Sequence, residues 1–382
     1  MNNRAGKLVQ NFSGDSKYYS FYPCPLPPKP EIEIDTEMQQ LLIDAHKKLA
    51  LLNGLSDRIP NKDLFISMYV KKEALVSSQI EGTQCTLEDV LNPEIDENAN
   101  ADVSDVVNYV RAINFAIKRM DDLPLCNRLI RETHGVLMNS VRGGDKTPGE
   151  FRVSQNWIGG VGSTLKNARY IPPNPEDMIE CLSDFEKFMN EDDSIDPLIK
   201  VALLHYQFET IHPFLDGNGR LGRLLITLFL IGMNEISSPV LYLSCYLKSN
   251  RIEYYDRMSE VRKSGNYEQW IKFFLRGIAE TAEDATDTID KLIALHQNNE
   301  AKLQDVPTRS RQNIMNLFAY IDQNPIIETV KTASALGLSR NGTANYIEML
   351  CDRGILKYSS KSGKALVFTY EEYLDILRKD TN

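Results

Sequence analysis

The segment that decides the fold is residues 212–223, which read HPFLDGNGRLGR. It separates two apolar stretches whose residue spacing is typical of helices. Pro213 disfavours helical backbone at the residue before it, so the first helix should end near His212. Gly217 and Gly219 allow the backbone to turn tightly and to approach a bound group. The sequence therefore predicts a glycine-rich turn that leads into the start of a buried helix.

The side chains of this segment suit phosphate chemistry. The first turn of a helix offers unpaired N–H groups and the positive end of the helix dipole, which favour anions. Arg220 and Arg223 are three residues apart, so both can face the turn, and a guanidinium matches phosphate oxygens. Asp216 is the kind of oxygen ligand that Mg²⁺ uses together with phosphates. His212 can accept a proton from an attacking hydroxyl. Each residue alone has an ordinary structural explanation, but together they predict a nucleotide-phosphate site.

Composition limits the classes of protein to consider. The chain has 382 residues, 43 Lys and Arg, 53 Asp and Glu, and a formal net charge of -10. An acidic chain of this size predicts two or three domains and argues against a surface devoted to nucleic acid or anionic lipid. The six cysteines are scattered without C-x-x-C pairs. No apolar leader or long apolar run is visible. We therefore expect a cytoplasmic protein without a membrane partner.

The pattern along the chain predicts a mainly α protein in three parts. Residues 1–30 form a proline-rich arm, because FYPCPLPPKP disfavours helices and central strands. Residues 31–304 show mostly helical periodicity, with Asn174-Pro175 and Asp196-Pro197 as helix starts. Residues 305–382 predict a C-terminal winged helix-turn-helix domain, with a hairpin after two short helices.

One segment interrupts the helical pattern. Residues 149–173 contain two extended runs around GGVGST, which predicts a β-hairpin inserted into the helical domain. The glycines lack the Lys-Ser/Thr ending of a Walker motif, so a turn is favoured over a phosphate loop.

Residues 212–223 resemble the signature of the Fic family, H-x-F-x-[D/E]-G-N-G-R-x-x-R, and every fixed position is present. The resemblance implies a helical bundle that transfers AMP from ATP to a protein hydroxyl (Tyr, Ser or Thr), releasing pyrophosphate. By the same resemblance, His212 would be the general base and Phe214 a core anchor. The remaining roles implied are Mg²⁺ or Mn²⁺ binding by Asp216, an anion hole formed by Gly217, Asn218 and Gly219, and phosphate binding by Arg220 and Arg223.

The resemblance also bears on the target and on the reaction type. The hairpin of residues 149–173 lies where the family has its flap, so a target protein would dock along residues 156–164 (Asn156 to Thr164) by strand addition. The Doc-like branch of the family, which phosphorylates its targets, carries Lys at the position of Gly219. Glycine here favours adenylyl transfer over phosphoryl transfer.

A second motif lies upstream, at the end of a helical stretch predicted over residues 63–82. Ser77 and Glu81 in SSQIEG are spaced to share one helix face. Alone they would form a solvent-facing helix end, but they resemble the inhibitory motif of the Fic family, [S/T]-x-x-x-[E/D]-[G/N]. The implied role of Glu81 is to pair with Arg223 and block productive binding of the γ-phosphate. The same glutamate could also orient water for removal of AMP.

Three further residues are candidates for the nucleotide's adenine side. Tyr242 and Asn250 follow the motif helix in a segment that resembles the family's nucleotide-side region, and Gln207 lies shortly before His212. For each of them, packing or helix capping is an open alternative to ligand contact.

The winged-helix prediction raises a rival class, a DNA-binding regulator whose Fic domain only senses nucleotide. Residues 305–382 contain ten Lys and Arg and nine Asp and Glu, without the basic stripe typical of a groove reader. Lys357, Lys361 and Lys364 keep weak DNA contact open, while target recruitment or homodimer contact are the alternatives. A nucleotide-binding pseudoenzyme is disfavoured, because no motif position is missing.

Overall fold

The computed structural model describes residues 2–56, 62–91, 101–139, 146–160, 162–191, 193–362 and 365–379. The predicted mainly α architecture is confirmed: helices dominate the described residues, and short strands lie near the two ends of the chain. The helices are α1 (Thr36–Ser56), α2 (Lys62–Ile80), α3 (Leu87–Leu91), α4 (Ala101–Arg119), α5 (Asn127–Leu137), α6 (Pro175–Asn190), α7 (Pro197–Ile211), α8 (Asn218–Gly232), α9 (Ser244–Ser249), α10 (Arg251–Ser264), α11 (Tyr267–Ala301), α12 (Thr308–Gln323), α13 (Thr329–Leu336), α14 (Arg340–Asp352) and α15 (Glu371–Arg378).

Helices α7 and α8 form the centre of the core and hold the motif between them. Nearly every residue of both is buried, and α6, α8 and α11 pack around α7. Trp270 of α11 is fully buried and donates its indole N–H to the carbonyl of Ala202 at 2.9 Å. Asp196 caps α7 by accepting from the N–H of Leu198 at 2.9 Å. The start of α7 therefore lies where the sequence predicted it.

The N-terminal arm is more regular than the sequence suggested. Strands β1 (Asn2–Asn3), β2 (Gly6–Asn11) and β3 (Tyr18–Pro23) form an antiparallel sheet in the order β1-β2-β3. The proline-based prediction of a plain extended arm missed this hairpin, because the prolines lie at and after its last strand. Phe21 is buried, and its N–H donates to the carbonyl of Ile171 at 2.9 Å. The sheet is thus joined to the end of the inserted segment.

The inserted segment is less regular than predicted. Its antiparallel pairing among the described residues is a single bridge between Ile158 and Tyr170, and Val161 lies outside the described residues. Side chains take the place of a ladder: the buried Arg152 donates to the carbonyls of Pro173 and His212. These bonds anchor the segment to the core and to the motif, so a long hairpin is not needed to hold it.

The C-terminal elements occur in the predicted order. Helices α12, α13 and α14 are combined with β4 (Ile326–Glu328), β5 (Lys357–Ser362) and β6 (Ala365–Thr369), which form a sheet in the order β4-β6-β5. Lys364, at the predicted wing tip, lies outside the described residues. Helix α12 packs on α2, and Arg378 of α15 pairs with Glu88 of α3.

Across the described part of the chain, no helix combines the length and the apolar character needed to cross a membrane.

We expect Asp196→Ala to lower the free energy of unfolding by about 1 kcal/mol, because the first turn of α7 loses its cap. Asp196→Asn should keep most of the stability, since asparagine is an equally good capping residue. Urea denaturation of the two variants measures the difference. Equal losses would show that the ion pair of Asp196 with His46, at 3.0 Å, matters more than the cap.

Candidate active site

The turn between α7 and α8 is held in a backbone conformation that its sequence favours. His212 ends α7 with a φ of 50°, and its N–H donates to the carbonyl of Phe208 at 2.9 Å. Gly217 begins α8 with a φ of 75°, in the left-handed region. A Cβ atom at Gly217 would lie 2.5 Å from the sulfur of Met138. The glycine is therefore required both for the turn and for close packing.

Asn218 closes the turn through its side chain. Its amide oxygen accepts from the N–H of Phe214 at 2.9 Å, and its amide nitrogen donates to the carbonyl of Phe214 at 2.8 Å. Phe214 is fully buried and stacks on His134 with ring centroids 3.7 Å apart. Because these bonds use the polar atoms of the Asn218 side chain, an anion-hole role would fall to its backbone.

His134 fixes the turn from α5. Its Nδ1 accepts from the N–H of Gly149 at 2.9 Å, so its Nε2 carries the proton and donates to the carbonyl of Asp216 at 3.0 Å. Burial lowers the pKa of His134 to about 4, partly offset by the bond to Asp216. The sequence analysis did not single out His134, because a lone histidine on a helix carries no spacing signal.

His212 lies in a positively charged, largely buried environment. Its side chain is 18% exposed, and Nδ1 is buried without a hydrogen-bond partner among the described residues. Burial and then Arg152 lower its pKa to about 4, and the backbone carbonyl of Glu209 and the charge of Glu81 partly offset this shift. His212 is therefore neutral near pH 7 and can accept a proton. Arg152 also donates its Nε–H to the His212 carbonyl at 3.0 Å.

Arg223 is buried and pairs with both residues of the upstream motif. Its Nε donates to the hydroxyl of Ser77 at 2.9 Å, and its Nη2 donates to the carbonyl of Ser77 at 2.9 Å and to Glu81 Oε1 at 2.8 Å. Burial alone would raise the pKa of Glu81, but the charge and hydrogen bond of Arg223 hold it below its usual value. Glu81 is therefore ionised at neutral pH.

The carboxylate of Glu81 lies against the start of α8. A Cβ atom at Gly219 would collide with Oε1 of Glu81 and would lie 3.2 Å from Nη1 of Arg223. An anion thus already occupies the position where a helix N-terminus and a buried arginine converge. The structure brings Ser77, Glu81, Gly219 and Arg223 into one contact, the arrangement that the resemblance implied.

Arg220 and Asp216 border the same turn. Nη1 of Arg220 is buried, makes no hydrogen bond among the described residues and lies 3.5 Å from Asp105 Oδ1. Asp216 is exposed at the rim. No group of three or more His, Cys, Asp or Glu side chains in the described ranges could hold a metal ion by itself. One exposed carboxylate instead fits a Mg²⁺ ion that is shared with phosphate oxygens.

The three adenine-side candidates lie away from this turn. Gln207 is buried and donates its side-chain amide to the carbonyl of Cys24 at 3.0 Å. It lies five residues before His212, and five residues rotate the direction of a helical side chain by about 140°. Tyr242 and Asn250 line a different cavity of about 270 Å³, between α2, α9 and α11, together with Glu73. Asn250 donates its side-chain amide to the carbonyl of Tyr246. Ligand contact by these three residues stays a prediction, and Oε1 of Gln207 and the hydroxyl of Tyr242 are buried without a hydrogen-bond partner among the described residues.

Three charged residues near the motif were missed by the sequence analysis. Arg152 and Arg262 act electrostatically on His212, and Glu209 is buried one turn before it. Arg262 lies over the ring of Tyr170 at 4.0 Å. Only Glu209 had a detectable signal, namely its i, i+3 spacing from His212.

The turn brings together a neutral histidine, a helix N-terminus and two arginines. In a comparison with protein families, residues 39–118 match the Fic/DOC family N-terminal model, and residues 124–230 match the Fic/DOC family model. These two ranges are therefore similar to the Fic/DOC family.

Individual proteins show the same similarity. The chain is 36% identical to a protein adenylyltransferase Fic of Culex quinquefasciatus over 141 residues, which cover 36% of this chain and 24% of that protein. The protein of the same name from Drosophila melanogaster is 35% identical over 143 residues, or 36% and 25% of the two chains. The chain thus spans about a quarter of the length of the curated relatives it matches.

The fold also has a solved counterpart. A crystal structure of a Fic family protein from Desulfovibrio desulfuricans G20 superposes with a TM-score of 0.59, covering 88% of this chain and 97% of that chain at 18% identity. This likeness shows a shared fold, including the mainly α architecture predicted from the sequence.

The low pKa of His134 predicts an acid-sensitive fold. The unfolded chain binds a proton at this residue near pH 6.5 and the folded chain only near pH 4, so stability is lost as the pH falls between these values. The free energy of unfolding of both proteins should fall when the pH is lowered from 6.5 to 5. We expect this fall to be about 2 kcal/mol smaller in His134→Phe than in the unaltered protein, because phenylalanine cannot be protonated. Urea denaturation across this range measures the difference.

His296→Phe is the matched control with the opposite sign. The hydrogen bond with Asp322 raises the pKa of His296, so this residue stabilises the fold most at low pH. The deficit of His296→Phe relative to the unaltered protein should therefore grow as the pH falls. Parallel stability curves for all three proteins would contradict the assigned charge states.

Proposed function

We propose that this protein transfers AMP from ATP to a hydroxyl side chain of a target protein and that Glu81 holds it in a state of low activity. The observation that carries the proposal is the carboxylate of Glu81 seated between Gly219 and Arg223. An anion site of this kind, beside a neutral histidine, fits a phosphate chain and a proton acceptor. The relatives named protein adenylyltransferase Fic support the same reaction.

In the proposed reaction the target hydroxyl oxygen forms a bond to the α-phosphorus of ATP. The bond from that phosphorus to the α,β-bridging oxygen breaks, and pyrophosphate leaves with the electron pair. The hydroxyl proton goes to Nε2 of His212, which is neutral at working pH. Arg220 and Arg223 hold the β- and γ-phosphates, and the backbone N–H groups of Asn218 and Gly219 face the phosphate chain. The N–H of Gly217 is donated to Asp216 Oδ1.

Asp216 is the residue that would hold Mg²⁺ or Mn²⁺ together with the phosphates. The ion would neutralise charge that develops on the leaving pyrophosphate. The Oδ1 atom of Asp216 accepts from the N–H of Gly217 at 2.6 Å, which leaves Oδ2 of this exposed residue for the contact. The carbonyl of Asp216 is held by His134 at 3.0 Å.

The inserted segment, residues 149–173, supports target docking along residues 156–164. Asn156 donates to the carbonyl of Phe214 at 2.9 Å, so the docking segment begins against the motif. Val153 is 93% exposed and Trp157 42% exposed, which leaves apolar surface beside the site for a partner. A target segment added here would place its hydroxyl near His212.

The remaining assignments complete the proposal. The catalytic unit comprises residues 31–304, preceded by the arm of residues 1–30, and the winged-helix unit comprises residues 305–382. We assign target recruitment or homodimer contact to the winged-helix unit, because its near-neutral charge does not favour DNA. Action in the cytoplasm and removal of AMP by water oriented through Glu81 belong to the same proposal.

Glu81→Gly tests the inhibitory contact. Removing the carboxylate frees Arg223 and the space above Gly219, so we expect AMP incorporation into lysate proteins to rise at least about tenfold, the effect of ~1.4 kcal/mol. Glu81→Gln keeps the size but not the charge and should give an intermediate rate. ATP labelled at the α-phosphate provides the measurement, and an unchanged or lower rate would overturn the inhibitory role.

His212→Ala in the Glu81→Gly protein is the catalytic control. Loss of the base should lower incorporation by roughly 10²–10⁴-fold. Label transferred from the γ-phosphate instead of the α-phosphate would assign the protein to the phosphorylating class.

Asp216→Asn tests the metal contact. We expect the Mg²⁺ concentration for half-maximal AMP incorporation to rise about tenfold or more, because a neutral amide binds a hard cation less well than a carboxylate. Chelation of all divalent ions should stop the reaction in both proteins. Asp121→Asn, at an exposed turn after α4, is the control and should leave the Mg²⁺ dependence unaltered. An unaltered dependence in Asp216→Asn would remove this residue from the proposed metal site.

A further inference from the structure

Glu209 faces the imidazole of His212 from one turn earlier on α7. Its residue is 8% exposed, and Oε2 lies 4.0 Å from Nδ1 of His212. Both Oε1 of Glu209 and Nδ1 of His212 are buried without a hydrogen-bond partner among the described residues. Two complementary polar groups that lack partners thus lie next to each other.

Helix α8 leaves space for this carboxylate. A Cβ atom at Gly222 would collide with Oε1 of Glu209, so only glycine at this position accommodates the side chain as it lies. A buried carboxylate that is poorly paired destabilises a fold. Its presence within one turn of the proposed base therefore points to a functional use.

The charges around His212 show what that use is. Burial, Arg152 and Arg262 all disfavour a protonated His212, and Glu81 is a carboxylate that favours it. Glu81, however, must leave Arg223 before a triphosphate can bind there. Glu209 then remains as the carboxylate beside the ring that gains a proton.

The departure of Glu81 also acts on Glu209. Burial raises the pKa of Glu209 to about 7, Arg223 and Arg262 lower it, and Glu81 raises it. Tyr254, which packs nearby from α10, is neutral at this pH because burial raises its pKa. Removal of the negative charge of Glu81, as in Glu81→Gly, thus favours the ionised form of Glu209 in the nucleotide-free protein.

We propose that Glu209 is a positioning residue for His212: its carboxylate accepts the Nδ1–H, directs Nε2 to the target hydroxyl and stabilises the imidazolium. The proton taken from the hydroxyl stays on Nε2, and Glu209 takes none. The separation of 4.0 Å is within reach of a small side-chain rotation or one bridging water. This inference rests on the proposed adenylyl transfer.

Kinetics of the full-length Glu81→Gly protein test the inference. Adding Glu209→Gln should lower kcat roughly 10- to 100-fold, which is less than the ~10²–10⁴-fold that the general base itself contributes, while KM for ATP changes less than about twofold. Glu209→Asp, which restores the charge, should recover part of kcat. Glu328→Gln removes another buried carboxylate, the cap of α13, and should leave kcat unchanged.

A spectroscopic measurement separates positioning from mere packing. In ¹⁵N-histidine spectra, with His212 assigned from His212→Ala, the ring should carry its proton on Nδ1. Glu209→Met, which has similar size and no acceptor, should shift the proton toward Nε2. A tautomer that is the same in both proteins would overturn the positioning role, whether or not Glu209→Gln folds.

The two proposals fail in different ways. Absence of AMP transfer by Glu81→Gly itself would overturn the proposed function. Normal transfer by Glu81→Gly together with an equal kcat for its Glu209→Gln derivative would overturn only the role of Glu209. Thermal unfolding of each variant by circular dichroism establishes that the compared proteins are folded.

Discussion

The buried guanidinium of Arg223 is the constraint on which the candidate site depends. Its side chain is 1% exposed, and a charge so enclosed destabilises a fold by several kcal/mol unless it is paired. Ser77 supplies two oxygens and Glu81 supplies the negative charge. The start of α8 is therefore a place where the folded chain requires an anion, its own or one that replaces it.

The turn between α7 and α8 is rigid because its buried backbone N–H and C=O groups also need hydrogen-bond partners. His134, Asn218 and Arg152 each use side-chain atoms to bind backbone groups of the motif or its neighbours. These bonds replace the regular hydrogen bonds that a turn between helices lacks. They hold the backbone of the turn in one conformation, so the positions of Gly217 and Gly219 are fixed before any ligand arrives. Preorganisation of this kind is what stabilises charge in a transition state.

The sequence predicted the parts of the fold that depend on local signals. Helix α7 begins at its Asp-Pro cap, α8 follows the glycine-rich turn, and Ser77 near the end of α2 and Glu81 just after it both contact Arg223. The N-terminal sheet was missed, because the prolines that suggested an extended arm lie at and after its last strand and do not interrupt the pairing of β2 with β3.

The charges that act on His212 could not be predicted from the sequence, for a related reason. Arg152 and Arg262 approach His212 from separate elements, and no spacing in the chain predicts that they meet there. Gln207 is the reverse case, because it is near His212 in sequence but its side-chain amide binds the distant carbonyl of Cys24. Sequence motifs identify which groups act, while their environment depends on the tertiary fold.

Glu81 and Arg223 differ in exposure and in how firmly they are held, and this difference determines how their contact opens. The side chain of Glu81 is 41% exposed, so its carboxylate can turn into water and stay hydrated. Arg223 is fixed by Ser77 and cannot follow it. Opening without a replacement anion takes from the buried Arg223 the carboxylate that is hydrogen-bonded to it, and this loss keeps the contact closed. A phosphate chain that takes the place of Glu81 offsets this loss, so release of the carboxylate and arrival of the nucleotide are one thermodynamic event.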